Sequence, residues 1–418
     1  MWAYLLARRA LQPVMRVVLR RRLAQGKEDA ARIGEKLGQP TLPRPDGPLV
    51  WVHAVGLGEV LALRPLIDAL QAQHPGLGVL VTSTARSSAQ VIGANLPAGA
   101  LHQMLPLDGP DFLRAFLDHW RPDLSIWSEQ DLWPGAVHDA AARGIPLAYV
   151  NARMNAASYA KRARIAGIYR ATLARFVRVL AQDPESADNL RRLGATEVRQ
   201  MRSLKPAAQP LRADPGDLAH LQAQLAGRKV WVAASTHAAD EAVVIAAQAL
   251  LQAHDPAWLL LLTPRLPARA AEVGAALTAA GLSFAQRSRG EPSTPQTAVL
   301  LADTFGELGL WYRLAKCAFI GGSFGGLGGH NPWEAVCLGL PVLSGPDTAN
   351  FRADYADLAA LGLAQVLPAD DSAAALAAKV LQDTSPSQLD AVHALIDTAR
   401  DEVALLARDL LSLMKAPT

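Results

Sequence analysis

The feature that most constrains this chain is an alternation of short apolar runs with amphipathic stretches of helix length, and it occurs twice. In the first half the runs fall at 49–53, 78–82, 124–127, 146–150 and 177–181. Runs of this kind between helical stretches mark βαβ units, because crossover helices cover a parallel strand on both faces. Residues 203–216 then hold three prolines and interrupt the rhythm, as a linker does. The pattern resumes at 229–233, 258–262, 298–301, 317–320 and 341–343. With 418 residues, two cores are the natural expectation. The expected fold is therefore α/β, with two doubly wound parallel-sheet domains, 39–202 and 217–418, facing a cleft. Residues 1–38 form a separate N-terminal region, and the last helix is able to pack back on the first domain.

Ligands of such sheets bind beyond the carboxyl ends of the strands, so the residues following each run are the candidates. After the first run comes Gly56-Leu-Gly-Glu59, leading into an apolar helix. The glycines let the backbone approach a ligand. Glu59 is either a base for a hydroxyl or a first-turn carboxylate answering the helix dipole. After the third run, Glu129 and Asp131 place carboxylates at the same edge. Their alternative is to cap the helix that Pro134 begins. Arg153 follows the fourth run, suited to a phosphate or carboxylate or to pairing with Glu129 or Asp131.

In the second half, Ser235 and Thr236 precede a helix, as phosphate donors or as ordinary caps. Arg265 follows Pro264 at a strand end. Thr304 and Glu307 have the spacing of a capping box. The strongest signal is Gly321-Gly-Ser-Phe-Gly-Gly-Leu-Gly-Gly-His-Asn-Pro-Trp-Glu334, six glycines in a loop after a strand. Asn331, Pro332 and Glu334 suit N-cap, first and third helical positions, and the loop reads as a set of backbone N–H groups offered to a phosphate. It lacks the Lys-Ser/Thr of a P-loop.

A net charge of +3 gives no broad basic field, and no nucleic-acid partner is expected. The two cysteines, Cys317 and Cys337, lie in apolar stretches and read as small buried hydrophobes of a reduced compartment. Residues 1–25 carry six arginines among Trp2, Leu5, Leu6, Leu11 and Val18. Their apolar runs fall well short of the roughly 20 residues that span a bilayer. A basic helix with Trp and Leu on one face can instead lie in a membrane interface, or pack on its own domain.

Taken together these residues resemble the 3-deoxy-D-manno-octulosonic acid (Kdo) transferases of lipopolysaccharide synthesis, glycosyltransferases of GT-B architecture. The resemblance runs nearly end to end. It is carried by Arg32–Gly38, Trp51–Glu59, Leu105–Asp108, Leu132-Trp-Pro134, Asn151-Ala-Arg153, Ser203-Leu-Lys205, Ala234–His237, Pro264-Arg265, Gly306–Gly309, Gly329–Pro332 with Glu334, Gly345-Pro346 and Asn350-Phe351.

The resemblance implies an inverting transfer of Kdo from CMP-Kdo to a lipid A precursor, without metal or other cofactor, at the cytoplasmic face of the bacterial inner membrane. It implies Glu59 as general base. It implies a donor set of Lys205, Ser235, Thr236, Pro264, Arg265, Gly306, Glu307, Leu308, Gly329, Asn331 and Glu334. Gly58, Glu129, Asp131 and Arg153 are the acceptor-side candidates. This chain has Gly56, Leu266, Leu327, Ser203, Asn155 and Ala157 where that family usually has Ser, His, His, Asn, Ser and Arg. These departures bear on which sugar and acceptor the site selects.

Other readings are a transferase for a different sugar or lipid, a nucleotide-sugar epimerase of the same two-domain fold, and an inactive membrane-associated binding protein. The N-terminal helix speaks against an epimerase, whose substrates are soluble. The presence of Glu59, Arg265 and Glu334 speaks against inactivity.

Overall fold

The computed structural model describes the chain apart from residues 56, 85–95, 98, 130–131, 383–385 and 415–418, and apart from the side chains of 57–59, 61 and 386–389. It divides into two units, Met1–Ala208 with Ala399–Thr418, and Gln209–Thr398. The boundary falls inside the proline-bearing stretch. Two of that stretch's prolines open helical turns, Lys205–Ala207 and Pro215–Gln224, because a first-turn proline forfeits no helical hydrogen bond.

The first unit holds β1 (Leu49–His53), β2 (Gly78–Ser83), β3 (Ala100–Met104), β4 (Leu124–Glu129), β5 (Leu147–Ala152), β6 (Arg178–Ala181) and β7 (Val198–Gln200). They form one seven-stranded sheet in the order β3-β2-β1-β4-β5-β6-β7. Every pairing is parallel. Leu49 and Trp51 enter the core on one face, and Val50 and Val52 enter the core on the other. A strand buried on both faces is apolar at most positions, which is why the runs are nearly continuous.

The second unit holds β8 (Lys229–Thr236), β9 (Trp258–Pro264), β10 (Phe284–Gln286), β11 (Val299–Leu301), β12 (Ala318–Ile320), β13 (Val342–Ser344) and β14 (Ala364–Val366). Their order is β10-β11-β9-β8-β12-β13-β14, again all parallel. The C-terminal helix Pro386–Leu411 begins in this unit and ends in the first. Val392 and Ile396 belong to a core of the second unit, whereas Ala399, Val403 and Ala407 belong to a core of the first. Arg178 fastens this last part through Asp409, with Nε to Oδ2 at 2.9 Å.

Each sheet has a point where the strand order reverses, β1/β4 in the first and β8/β12 in the second. Chains leaving neighbouring strands there turn to opposite faces and open a crevice, the usual ligand position in open α/β sheets.

Helix Trp2–Ala24 buries Arg8, Gln12 and Leu19. Arg8 Nη2 donates to Asp139 Oδ1 at 2.6 Å, Gln12 Nε2 donates to Asp111 Oδ2 at 2.8 Å, and the Tyr4 hydroxyl donates to Asp108. The opposite face carries Trp2, 82% exposed, Leu6, 69% exposed, and the exposed Val14 and Val17. The helix is therefore held down by polar contacts and turns an apolar face outward. Among the described residues no helix is long and apolar enough to cross a membrane.

Candidate active site

In the first unit the candidates follow the reversal point. Gly58 and Glu59 lie in the first turn of helix Leu57–Gln73, directly after β1. Their side chains, like all of Gly56 and Asp131, lie outside the described residues. Across the crevice β4 ends at Glu129 and β5 runs on through Asn151 to Ala152. Glu129 has φ 59° and Asn151 φ 49°, and the pairing register shifts at both places. A side chain in the left-handed region costs about 1–3 kcal/mol and persists only where surroundings hold it.

Here the Tyr149 hydroxyl donates to the Glu129 carbonyl, and the Arg153 N–H donates to the same oxygen at 3.2 Å. Asn151 Nδ2 donates to Glu129 Oε1 at 3.1 Å. Burial pushes the Glu129 carboxyl above the usual carboxylate range, against the opposing pull of Arg153, Lys205 and the Asn151 hydrogen bond. Glu129 is thus no helix cap. The helix Pro134–Ala142 has Trp133 at its N-cap and no side-chain capping bond. Lys205 belongs to this first unit, where its charge acts on Glu129.

In the second unit β8 continues through Ser235, at φ 55° with a register shift, to Thr236. Neither hydroxyl caps the following helix. His237 is the N-cap of Ala238–His254, in a reciprocal box with Asp240. Thr236 Oγ1 instead bonds Glu241 Oε1 at 3.3 Å.

The glycine loop differs from its reading as an open cradle. Asp240 is fully buried, and its carboxylate accepts the N–H groups of Gly322 at 2.8 Å, Ser323 at 3.1 Å and Phe324 at 3.0 Å. The same carboxylate accepts the His237 N–H at 2.9 Å. Gly328 donates to Asp347, Gly329 to the Gly322 carbonyl and His330 to the Gly321 carbonyl. The anion held by this part of the loop is the chain's own aspartate. A short loop with many N–H groups aimed inward cannot stay buried without an acceptor, and Asp240 supplies it.

The helix after the loop is one turn, Trp333–Val336, and starts one residue later than expected, with Pro332 at its N-cap. Asn331 Oδ1 accepts the Trp333 N–H at 3.1 Å, and the Asn331 side chain also bonds Glu334. Burial raises the Glu334 pKa, with Arg265 and Asn331 pulling it down. Arg265 follows Pro264, the last residue of β9, and its N–H donates to the Thr236 carbonyl at 2.9 Å. Its guanidinium charge also acts on His330, whose pKa burial pushes down to about 4.

Glu307 does not close a capping box. It is itself the N-cap of Leu308–Leu314 without a side-chain capping bond. Its carboxylate takes Arg287 Nη2 at 2.7 Å and the Thr304 hydroxyl. Burial opposes ionisation there, but these partners hold its pKa below the usual range. Gly306, at φ 84°, permits the turn just before it.

Asp240 and Arg287, which bond to the candidate residues or their loop, were not singled out from the sequence, and Asn151, His237 and His330 stood there only within motifs, with no role of their own. One signal was present: His237 and Asp240 have capping-box spacing. Among the described residues no cluster of three or more His, Cys, Asp or Glu is arranged to hold a metal ion. Cys317 is buried, which pushes its thiol up to about 12.

Two parallel α/β sheets with polar residues gathered at their carboxyl ends define the GT-B class, shared by glycosyltransferases and nucleotide-sugar epimerases. A UDP-N-acetylglucosamine 2-epimerase structure superposes with a TM-score of 0.54 at 15% identity, covering 90% of this chain and 99% of that one. A spinosyn rhamnosyltransferase complexed with thymidine diphosphate gives 0.51 at 17% identity, covering 87% of this chain and 100% of that one. At such identities these likenesses establish the fold alone.

Sequence decides between the two activities. Residues 31–208 match the family described as 3-Deoxy-D-manno-octulosonic-acid transferase (kdotransferase). Over 393 residues the chain is 39% identical to the 3-deoxy-D-manno-octulosonic acid transferase of Bordetella pertussis, covering 89% of each. The chain belongs to the 3-deoxy-D-manno-octulosonic acid transferase family, and is a glycosyltransferase.

Proposed function

We propose that this enzyme moves Kdo from CMP-Kdo onto a lipid A precursor, with inversion and without a metal, at the cytoplasmic face of the bacterial inner membrane. The observation that carries the reading is the gathering of Arg265, His330, Asn331 and Glu334 at strand ends of the second sheet, in a chain 39% identical to a Kdo transferase. A cation beside hydrogen-bonding side chains suits a nucleotide monophosphate leaving group.

In the proposed reaction the acceptor hydroxyl attacks the anomeric carbon of Kdo, and the bond from that carbon to the CMP phosphate oxygen breaks. The hydroxyl proton passes to Glu59, and CMP leaves with the bonding pair. Arg265 and Lys205 offset the charge gained by the departing phosphate, which lowers the transition state more than the bound substrate. Glu129 and Arg153 serve the acceptor side, with Gly58 and Asp131. Ser235, Thr236, Pro264, Gly306, Glu307, Leu308 and Gly329 complete the donor set.

The outward apolar face of Trp2–Ala24 supports the membrane part of the reading. Trp2, Leu6, Val14 and Val17 are exposed, and Arg9, Arg16 and Arg20 lie on the same helix. Such a face enters the headgroup boundary, and each nearby arginine adds about 1 kcal/mol on an anionic leaflet.

The test is an incubation with CMP-Kdo and lipid A precursor, read by mass spectrometry. A mass gain of one or more Kdo units supports the proposal. Transfer from a uridine sugar nucleotide alone, or none to this acceptor, refutes it.

A further inference from the structure

His237 and His330 meet across the β8/β12 reversal point, where a doubly wound sheet takes its ligand. Their Nε2 atoms are 2.9 Å apart, and the rings are inclined by 23° with centroids 5.2 Å apart, so they meet edge to edge. Two imidazoles can share that distance only if one nitrogen carries a proton and the other does not. The remaining contacts decide which.

The His237 side chain accepts the backbone N–H of Asp240 in the capping box. Its Nε2 faces His330, so the capping nitrogen is Nδ1, and Nδ1 carries no proton. The His237 proton is then on Nε2 and is donated to His330 Nε2. His330 in turn carries its proton on Nδ1.

The neighbourhood holds this arrangement. The Asp240 carboxylate, accepting from His237 N and from three loop N–H groups, fixes one histidine against the loop that bears the other. Gly322 lies under His330, where a Cβ would come within 2.9 Å of Cδ2 and Nε2. The Nδ1 side of the ring is turned away from that contact. The charged and titratable groups around His330 are Arg265 and His237, which disfavour its protonation, and Asp240, which favours it, while Glu334 lies within reach of the Arg265 charge.

We propose that His237 and His330 form a fixed-tautomer relay that presents the His330 Nδ1–H, beside Arg265, as a donor to an anionic oxygen of the nucleotide-sugar substrate. His237 is a positioning residue, and His330 binds. The anionic oxygen belongs either to the nucleotide phosphate or to the sugar carboxylate. The proposal rests on the donor site assigned above. Burial and Arg265 keep His330 uncharged until about pH 4, so the donor is a neutral imidazole through the working range.

The test uses the full chain labelled with ¹⁵N-histidine and read by long-range ¹H–¹⁵N correlation, with His237→Asn and His330→Gln to assign the two rings. The expected result is a protonated Nδ1 and bare Nε2 on His330, held between about pH 5.5 and 8, and at the upper end of that range the reverse on His237. CMP or free Kdo is then added. Movement of the His330 Nδ1–H with CMP assigns the phosphate, and movement with Kdo alone assigns the carboxylate.

In His237→Asn the cap survives, because Asn is a good N-cap, but the relay is gone. The donor KM should rise about tenfold with kcat little changed. A His330 proton found on Nε2, or a His330 resonance that stays still while calorimetry shows CMP and Kdo bound, overturns the proposal. Absence of CMP and CMP-Kdo binding with both tautomers as expected refutes the donor-site assignment instead, and the two failures are thereby distinguished.

Discussion

Asn151 donates its side-chain N–H to the Glu129 carboxylate at 3.1 Å, and both residues stand in left-handed backbone at the ends of adjacent strands. Each thereby helps to hold the other in a conformation that neither would keep alone. Strain of this kind collects at functional sites because it aims side chains that regular strands would turn aside.

Glu129→Gln should separate stability from activity. Burial raises the Glu129 pKa in the folded chain. The unfolded chain then releases that proton more readily, so folding is penalised as pH climbs past the ordinary carboxylate range, and fully so above the folded pKa. The Gln variant should therefore gain in melting temperature at pH 8 relative to pH 4, while its turnover falls. Equal shifts at both pH values would contradict the assigned direction.

Glu59→Gln decides the chemistry. Loss of a first-turn carboxylate costs about 0.3–1 kcal/mol of stability, whereas loss of a general base costs roughly a hundredfold to ten-thousandfold in turnover. The expected variant is folded, binds CMP and is nearly inactive. Near-normal turnover on the true acceptor would move the base assignment to Glu129 or Asp131.

Arg265→Ala should weaken CMP binding roughly ten- to a hundredfold, the worth of one charge-assisted hydrogen bond. Isothermal calorimetry measures it. Unchanged affinity would remove Arg265 from the donor set.

Asp240→Ala leaves the N–H groups of His237, Gly322, Ser323 and Phe324 without their acceptor. Each buried donor so orphaned costs about 1–3 kcal/mol, and a total loss above about 3 kcal/mol is expected in urea unfolding. CMP affinity should fall with it. Retained stability would mean that the loop has another anchor.

For the membrane face, Leu6→Asp with Val17→Asp is the informative variant. Deleting the helix would strip Arg8 and Tyr4 from the buried Asp108 and upset the fold. The double substitution leaves those contacts alone. Co-sedimentation with phosphatidylserine vesicles at moderate salt should drop at least tenfold, with far-ultraviolet circular dichroism unchanged. Undiminished sedimentation would exclude this face as the anchor.

Ten strands were legible as apolar runs, and the four that were not are the edges of the two sheets, β3, β7, β10 and β14. Val198–Gln200 is buried at one residue of three, and Ala364–Val366 likewise. These edge strands carry polar residues, His102 and Gln103, Arg199 and Gln200, Gln286, and Gln365, so no unbroken apolar run marks them. Glu129, Arg153, Arg265 and Glu334 were legible because they directly follow legible strands or a glycine-rich loop.

The sequence by itself determined the two parallel sheets and the strand ends where polar residues collect, since burial on both faces writes itself as continuous apolarity. Only the tertiary structure decided what those residues do to one another. His237 meets His330 across 93 residues of chain, and Asp240 takes N–H groups more than 80 residues away. Hydrogen bonding is a matter of a few ångströms in space, and spacing along a chain records that distance only within a turn or a helix. The glycine loop shows the difference: its composition announces a bound anion, and only the fold reveals that the carboxylate it holds is its own.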